Sequence, residues 1–418
     1  MPACSGSTKA ATRWSLSPAR LVTCCGGWSA RSDAAALLSD YRFSYGPKLV
    51  SGAGASGRLG EFVPKGPCLF VTDGQILALG LARAALESLE AAGAEPVIFD
   101  AVEADPSRET LLAAVEAGRA RGCVSTIGFG GGSPMDVAKL AAYLIRSGDD
   151  LVTLWGVDKA RGQRLPLILV PTTAGTGSEA TPVAVITLGG AEKKGVSSRA
   201  LIADLAILDA ELTIGLPRPV TAATGMDAMV HAIEAYTSAR LKNPMSDLLA
   251  REALRLLDAS LLTACERPED RKAREAMLLG AHLAGVAFAN APVAGVHALA
   301  YPLGGHFHVP HGLSNALMLP HVLGHNMVAA MTSYAELGRW LDPSLERLGA
   351  QAQASAFVER LRTLSRATGL PQRLSDVGVR AADLDLLASE AMKQERLLVN
   401  NPCPISEADA RRLYEAAL

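Results

Sequence analysis

CVSTIGFGGGSPMDVAKLAAYLIR (123–146) runs from a short apolar stretch through a glycine cluster into a helical pattern, and this junction decides the fold class. Residues 123–128 read as a buried strand, and 134–146 carry apolar residues at helical spacing. Ser133 stands where a helix cap is wanted, Pro134 at the first helical position, and Asp136 completes an S-x-x-D capping box. Glycines before a helix let the backbone approach a ligand, and the free N–H groups at the helix start attract anions. The usual dinucleotide fingerprint, G-x-G-x-x-G, would need glycine at 133, where serine stands. A phosphate cradle of another kind and a well-capped helix after a flexible turn are the two readings of this segment.

The pattern repeats on both sides of the junction. Residues 67–72 (PCLFVT) and 96–99 (PVIF) read as strands, separated by a helical segment at 76–92 that Gly93 stops. Strand, helix and strand within about thirty residues make a right-handed crossover the default. A helix over 109–121 leads into the 123–128 strand, and a further strand at 165–170 ends at Pro171. Such alternation predicts an α/β domain over 41–216, a parallel sheet with helices on both faces. After LPRP (216–219) the character changes to long helical segments (222–238, 244–264, 268–290 and several from 328 onward), so 217–418 is expected to be all-α.

A second polar loop, PTTAGTGSE (171–179), follows a strand end and combines glycines with hydroxyls that suit phosphate or ribose. Two such loops at strand C-terminal ends fit the rule that ligands bind at that edge of a parallel sheet. Asp73, at the end of the first of these strands, would accept from a ribose diol and repel a 2′-phosphate, or else simply form an Asp-Gly turn.

In GMDAMVHAIE (225–234), Asp227 and His231 lie four apart, on one face of a helix. Of eight histidines, four crowd into 297–311: His297, His306, His308 and His311. That stretch carries Pro302, Gly304, Gly305, Pro310 and Gly312, so it is expected to fold back and bring His297 and His311 to the Asp227/His231 face. One carboxylate and three imidazoles suit Fe²⁺ or Zn²⁺ rather than Ca²⁺ or Mg²⁺. By spacing alone, such a pair on a helix also fits a surface hydrogen bond.

The 418 residues hold 40 basic and 42 acidic side chains, which gives no electrostatic reason to expect nucleic acid or a membrane surface as partner. With 49% hydrophobic residues the chain can bury a large core, and no apolar run approaches the ~18 residues needed to cross a bilayer. Seven cysteines without C-x-x-C pairing fit a reducing compartment, hence a cytoplasmic protein. Residues 1–32 contain Lys9, Arg13, Arg20 and Arg31, six serines and no acid, the composition of an organellar transit peptide, which would make the location mitochondrial. Poor amphipathic periodicity and the Cys24-Cys25-Gly26-Gly27 interruption favour instead a tail outside the folded part, and ordered structure is expected from about Tyr41.

The motifs GGGSPMDVAK (130–139), PTTAGTGSE (171–179), TAATGMDAMVHAIEAYTS (221–238), HALAYPLGGHFHVPHGLSNALMLPH (297–321) and NNPCPISEADARRLYEAA (400–417) resemble those of the iron-containing (group III) alcohol dehydrogenases. The resemblance implies a nucleotide-binding α/β domain and a helical domain, the architecture shared with dehydroquinate synthase, with a divalent metal between them. It implies metal ligands at Asp227, His231, His297 and His311, with iron expected and zinc an alternative. Cofactor positions fall on Asp73, Gly131, Gly132, Ser133, Thr172, Thr173, Thr176 and Lys194, and Asp73 implies NAD rather than NADP. The implied activity is NAD-linked interconversion of a small alcohol and its aldehyde or ketone, by a homodimer. Where many members carry a histidine four residues after the third ligand, this chain has Tyr301, the candidate catalytic group; the same tyrosine occurs in hydroxyacid–oxoacid transhydrogenases. A family asparagine near the adenine side is Asp105 here, and His306 and His308 are read as cleft-lining or surface residues. The rival readings are a metal-independent reductase similar to maleylacetate reductase, which lacks the full ligand set, a hydroxyacid–oxoacid transhydrogenase, a lyase of the dehydroquinate synthase type, and a non-catalytic binding protein.

Overall fold

The structure, a computed structural model, describes residues 40–189 and 193–418, so the expectations for 1–32 lie outside the described residues. Among the described residues, nine strands fall in the first half: β1 (Lys48–Ser51), β2 (Gly66–Val71), β3 (Ala94–Phe99), β4 (Ser125–Gly130), β5 (Gly156–Val157), β6 (Leu167–Pro171), β7 (Val183–Thr187), β8 (Lys193–Ser197) and β9 (Leu205–Leu208). Six of them form one sheet in the order β1-β9-β6-β4-β2-β3, every pair parallel. Between and after them run α1 (Gly74–Ala78), α2 (Arg83–Ala91), α3 (Arg108–Ala120) and α4 (Gly132–Ser147).

Both faces of the sheet are covered, as its strands' unbroken apolar runs require. Leu69 and Val71 of β2 point to α3 and α4, whereas their neighbours Cys68 and Phe70 point to α2 and the 55–62 turn. The expected helix at 76–92 is two pieces. Gly80 adopts φ 71°, a left-handed conformation that ends α1 and lets the chain restart as α2. The second, three-stranded sheet (β5-β8-β7) escaped the sequence reading. Its strands are short and β8 is polar (KKGVS); only Ala184, Ile186 and Val196 reach the core beside α4.

From Arg218 onward the described chain is helical: α5 (Arg218–Thr237), α6 (Pro244–Glu266), α7 (Arg271–Asn290), α8 (Gly295–Phe307), α9 (His311–Leu341), α10 (Ala350–Thr368), α11 (Leu384–Met392), α12 (Glu395–Leu398) and α13 (Glu407–Ala417). Helix α5 is buried over almost its whole length and is the axis on which α6, α7 and α9 pack. No single described helix is long and apolar enough to cross a membrane.

Candidate metal centre and cofactor loops

Asp227 and His231 share one face of α5, and the four-residue spacing leaves His231 Nε2 3.9 Å from Asp227 Oδ1. The fold-back between α8 and α9 supplies the other two groups. Pro302, Gly304 and Gly305, expected to break the chain, lie inside α8; the reversal is made at 308–310, where His308 takes φ 54° and Pro310 caps α9. Neighbouring packing holds Pro302 in the helix, for it is fully buried there. His306 and His308 are exposed.

The reversal sets His297 Nε2 3.8 Å and His311 Nε2 3.6 Å from the same Asp227 oxygen. All four ligand atoms lie within 4.8 Å of one another. Donors about 2.0–2.2 Å from a tetrahedral ion stand about 3.4 Å apart, so a small contraction would close this shell on an ion. The approach of α9 to α5 depends on Gly312, where a Cβ would stand 2.4 Å from the Ala223 carbonyl oxygen. Larger side chains there would push His311 away from Asp227.

Two residues that the sequence reading passed over orient the ligands. Glu234, one turn beyond His231, is buried and accepts from the backbone N–H of Ala294 (2.9 Å) and Val296 (2.7 Å) at the start of α8, and from His297 Nδ1 (2.7 Å). A carboxylate only accepts, so Nδ1 carries the proton and Nε2 presents its lone pair to the cluster. That Nε2 is buried without any hydrogen-bond partner, as a ligand atom facing an ion would be. Asn315, one turn after His311, donates from Nδ2 to Asp227 Oδ1 at 2.6 Å. Both signals were present as i+3 and i+4 spacings from the named ligands, but polar residues on buried helices are too common for spacing alone to select them.

The protonation states suit a cation. Burial, with Asp227 opposing it and the neighbouring histidines adding to it, pushes His231 down to about 3, and burial likewise lowers His311. For Asp227 burial works upward, yet the facing histidines and the amide hydrogen bond from Asn315 together hold the carboxyl below its usual range. The Gly175 carbonyl faces His231, though not in the geometry of a full hydrogen bond. Phe288 stacks on His231 (centroids 4.3 Å apart). Tyr301, one turn beyond His297, lies 5.8 Å from the His311 ring, its hydroxyl raised by burial and without a hydrogen bond to any described residue. His311 retains 35% side-chain exposure against 2–5% for the other three, so the cluster opens on that side.

The two glycine loops stand at the C-terminal ends of adjacent strands, β4 and β6. They face each other so closely that a Cβ on Gly132 would meet Thr176 Cγ2 at 3.0 Å and one on Gly131 would meet Thr173 Oγ1 at 3.8 Å. Thr172 is buried, its N–H bonded to the Gly130 carbonyl. The expected capping box does not form. Helix α4 begins at Gly132 with Gly131 as an uncapped N-cap, two residues earlier than a Ser133 cap would allow. Asp136 instead accepts from Ser178 Oγ (2.6 Å) and Val185 N–H (2.9 Å) and lies 3.4 Å from the buried Lys139 ammonium. A buried ammonium and a hydroxyl outbid one backbone N–H for that carboxylate. The consequence is chemical: the first N–H groups of α4 are left for an anion. Lys139 also donates to Ser178, Thr181 and the Val183 carbonyl, tying the loops together, and Glu179 meets His282 of α7 at 3.0 Å.

Asp73 ends β2, where its Oδ1 caps α1 through Gln75 and Ile76 N–H. Lys194 pairs with Ile186 in the β7–β8 register, on the strand face opposite Lys193. The Lys193 ammonium lies 2.6 Å from Asp105 and near enough to His311 to lower it. Asp105, expected toward the adenine, thus stands toward the ligand cluster, turned there by its φ of 54°, which aspartate tolerates better than most residues.

Residues 46–210 match the family described as iron-containing alcohol dehydrogenase, and 221–418 its C-terminal part. The chain belongs to the iron-containing alcohol dehydrogenase family. It is similar to long-chain-alcohol dehydrogenase 1 of Geobacillus thermodenitrificans, 41% identical over 84% of this chain and 89% of that one. The 1,3-propanediol dehydrogenase of Citrobacter freundii is 34% identical over 89% and 96% of the two chains. Among solved structures, a 1,3-propanediol oxidoreductase superposes with a TM-score of 0.87 at 33% identity, covering 90% of this chain and all of that one. The sulfoacetaldehyde reductase of Bifidobacterium kashiwanohense in complex with NAD⁺ gives 0.80 at 26% identity, over 91% and 99%. As an alcohol dehydrogenase of this family, the protein is an NAD(H)-linked oxidoreductase that interconverts an alcohol and its carbonyl compound.

Proposed function

We propose that this enzyme acts on a small alcohol or aldehyde with Fe²⁺ held by Asp227, His231, His297 and His311, zinc being the competing ion, and with NAD rather than NADP as coenzyme. The observation that carries the metal reading is the buried, unpartnered His297 Nε2 aimed into a cluster of one carboxylate and three imidazoles. When bound, the ion supplies Lewis acidity toward an alcohol or carbonyl oxygen, and NAD(H) accepts or supplies the hydride.

The chain's own residues do the rest. The uncapped start of α4, with Gly131, Gly132 and Ser133, receives the pyrophosphate, and Thr172, Thr173 and Thr176 line the opposite wall. Asp73 keeps one carboxylate oxygen outside its capping bonds for a ribose diol and repels a 2′-phosphate. Lys194 remains the lysine of the coenzyme site in this reading, while Lys193, on the opposite face of β8, is held by Asp105. Glu234 and Asn315 hold two ligands in place, so that little rearrangement accompanies the reaction. Tyr301 donates a hydrogen bond from its hydroxyl toward the substrate oxygen. The family's metal-independent relatives are disfavoured because this chain keeps all four ligands.

Metal-stripped protein reconstituted separately with Fe²⁺ and Zn²⁺, followed by NADH absorbance with short alcohols, tests the reading. Turnover that returns with a metal supports it, and full turnover after thorough chelation ends it. Light scattering tests assembly as a homodimer.

A further inference from the structure

One cation near β8 is left unused by the chemistry above. Arg396 lies on α12, and its Nη2 comes 3.5 Å from the point a Cβ on Gly195 would occupy. Gly195 shares its face of β8 with Lys193, whose ammonium lies 3.7 Å from the corresponding point on Gly304 of α8. Gly304 is three residues from Tyr301, on the same side of that helix. Tyr301 in turn faces His311, the most open of the four ligands. Arg396, Lys193 and Tyr301 therefore border one space at the open side of the cluster.

The two cations differ in what they have left to offer. Lys193 is neutralised by Asp105 at 2.6 Å. The Arg396 side chain is exposed and makes no hydrogen bond or ion pair with any described residue. A guanidinium presents a planar fork of donors that matches a carboxylate in two parallel hydrogen bonds. A neutral alcohol has no use for such a group.

We propose that Arg396 is a specificity-determining residue that binds a carboxylate at the far end of the substrate, making the substrate class an ω-hydroxy acid or its aldehyde. The inference rests on the alcohol dehydrogenase reading above and narrows it. The Tyr301 end of the space receives the reacting oxygen, and Arg396 receives the anion, so chain length between the two sets which acid fits.

The experiment compares kcat/KM of the holoenzyme for short ω-hydroxy acids and for α,ω-diols of matching length, in wild type, Arg396→Ala and Arg396→Lys. The acids are expected to be favoured by the wild type, and the acid-to-diol ratio to fall about tenfold to a hundredfold in Arg396→Ala, the loss of a charge-assisted pair. Arg396→Lys should restore part of it. A second readout avoids turnover: calorimetry of butanoate against butanamide should show a carboxylate preference that Arg396→Ala removes. Equal use of acids and diols by the wild type, or a ratio unmoved by the substitution, overturns the proposal. No turnover on either series would overturn the small-substrate reading of the proposed function, while the calorimetric comparison would still judge Arg396 by itself.

Discussion

Replacing Glu234 by glutamine tests whether the buried carboxylate beneath His297 governs the metal site. In the native chain Oε2 accepts from His297 Nδ1 and Ala294 N–H, and Oε1 from Val296 N–H. Glutamine has the same shape but only one acceptor oxygen. Turned one way, its amide nitrogen confronts Val296 N–H; turned the other, it confronts both remaining donors. The less costly orientation leaves one buried donor unpaired, about 1–3 kcal/mol. It also replaces a charged acceptor by a neutral one under His297, which lowers the basicity of Nε2. Losing such an outer partner costs about tenfold to a hundredfold in metal affinity. The assay is a competitive metal titration against a chelator of known affinity, with thermal unfolding of the metal-stripped protein alongside. Glu234→Gln binding metal within about twofold of wild type would refute the argument, since the carboxylate would then merely anchor the α8 backbone.

Further outcomes are expected. Gly312→Ala drives a Cβ into the Ala223 carbonyl, so helix α9 must shift; stability should fall by about 1–3 kcal/mol and metal occupancy, read by elemental analysis, should fall with it, whereas unchanged occupancy would show that the close approach is unnecessary. Lys139→Met removes the ammonium that Asp136 faces and should destabilise the fold by about 3–5 kcal/mol in denaturant unfolding; the Lys139→Met/Asp136→Leu pair should cost less than the sum of the singles, and strict additivity would contradict a coupled pair. The metal-stripped protein should lose stability as pH falls below about 6.5, because His231 and His311 titrate lower folded than unfolded and the unfolded chain therefore binds more protons; a melting temperature that rises on acidification would reverse the sign. His297→Ala should abolish turnover while calorimetric NAD binding persists, and loss of both together would place His297 in the coenzyme site instead.

Much of this protein is legible along the chain because periodicity and end signals act locally. The parallel sheet follows from apolar runs at 67–72, 123–128 and 165–170 that carry no alternating polar face, and such strands need cover on both sides. The placement of Asp227 beside His231 needs only helical spacing, and Pro310 announces the reversal that delivers His311. The three-stranded β5-β8-β7 sheet was missed because β5 has only two residues and β8 is polar, so the apolar run of β7 had no legible partner, and the sheet packs its few apolar side chains beside α4. The capping box failed for a related reason: an i+3 motif describes local partners, while Asp136 found stronger ones in Ser178 and Lys139.

What the sequence alone determined is the set of residue types and the segments that carry them. Which carboxylate serves His297, that Asp105 meets Lys193, and that Arg396 reaches the Gly195 side of β8 were decided by tertiary structure. These pairings join groups 63, 88 and more than a hundred residues apart along the chain, such as Glu234 with His297, Asp105 with Lys193, and Gly195 with Arg396. Hydrogen bonds and ion pairs depend on distances of a few tenths of an ångström, and only the packing of α5, α8 and β8 sets distances that fine.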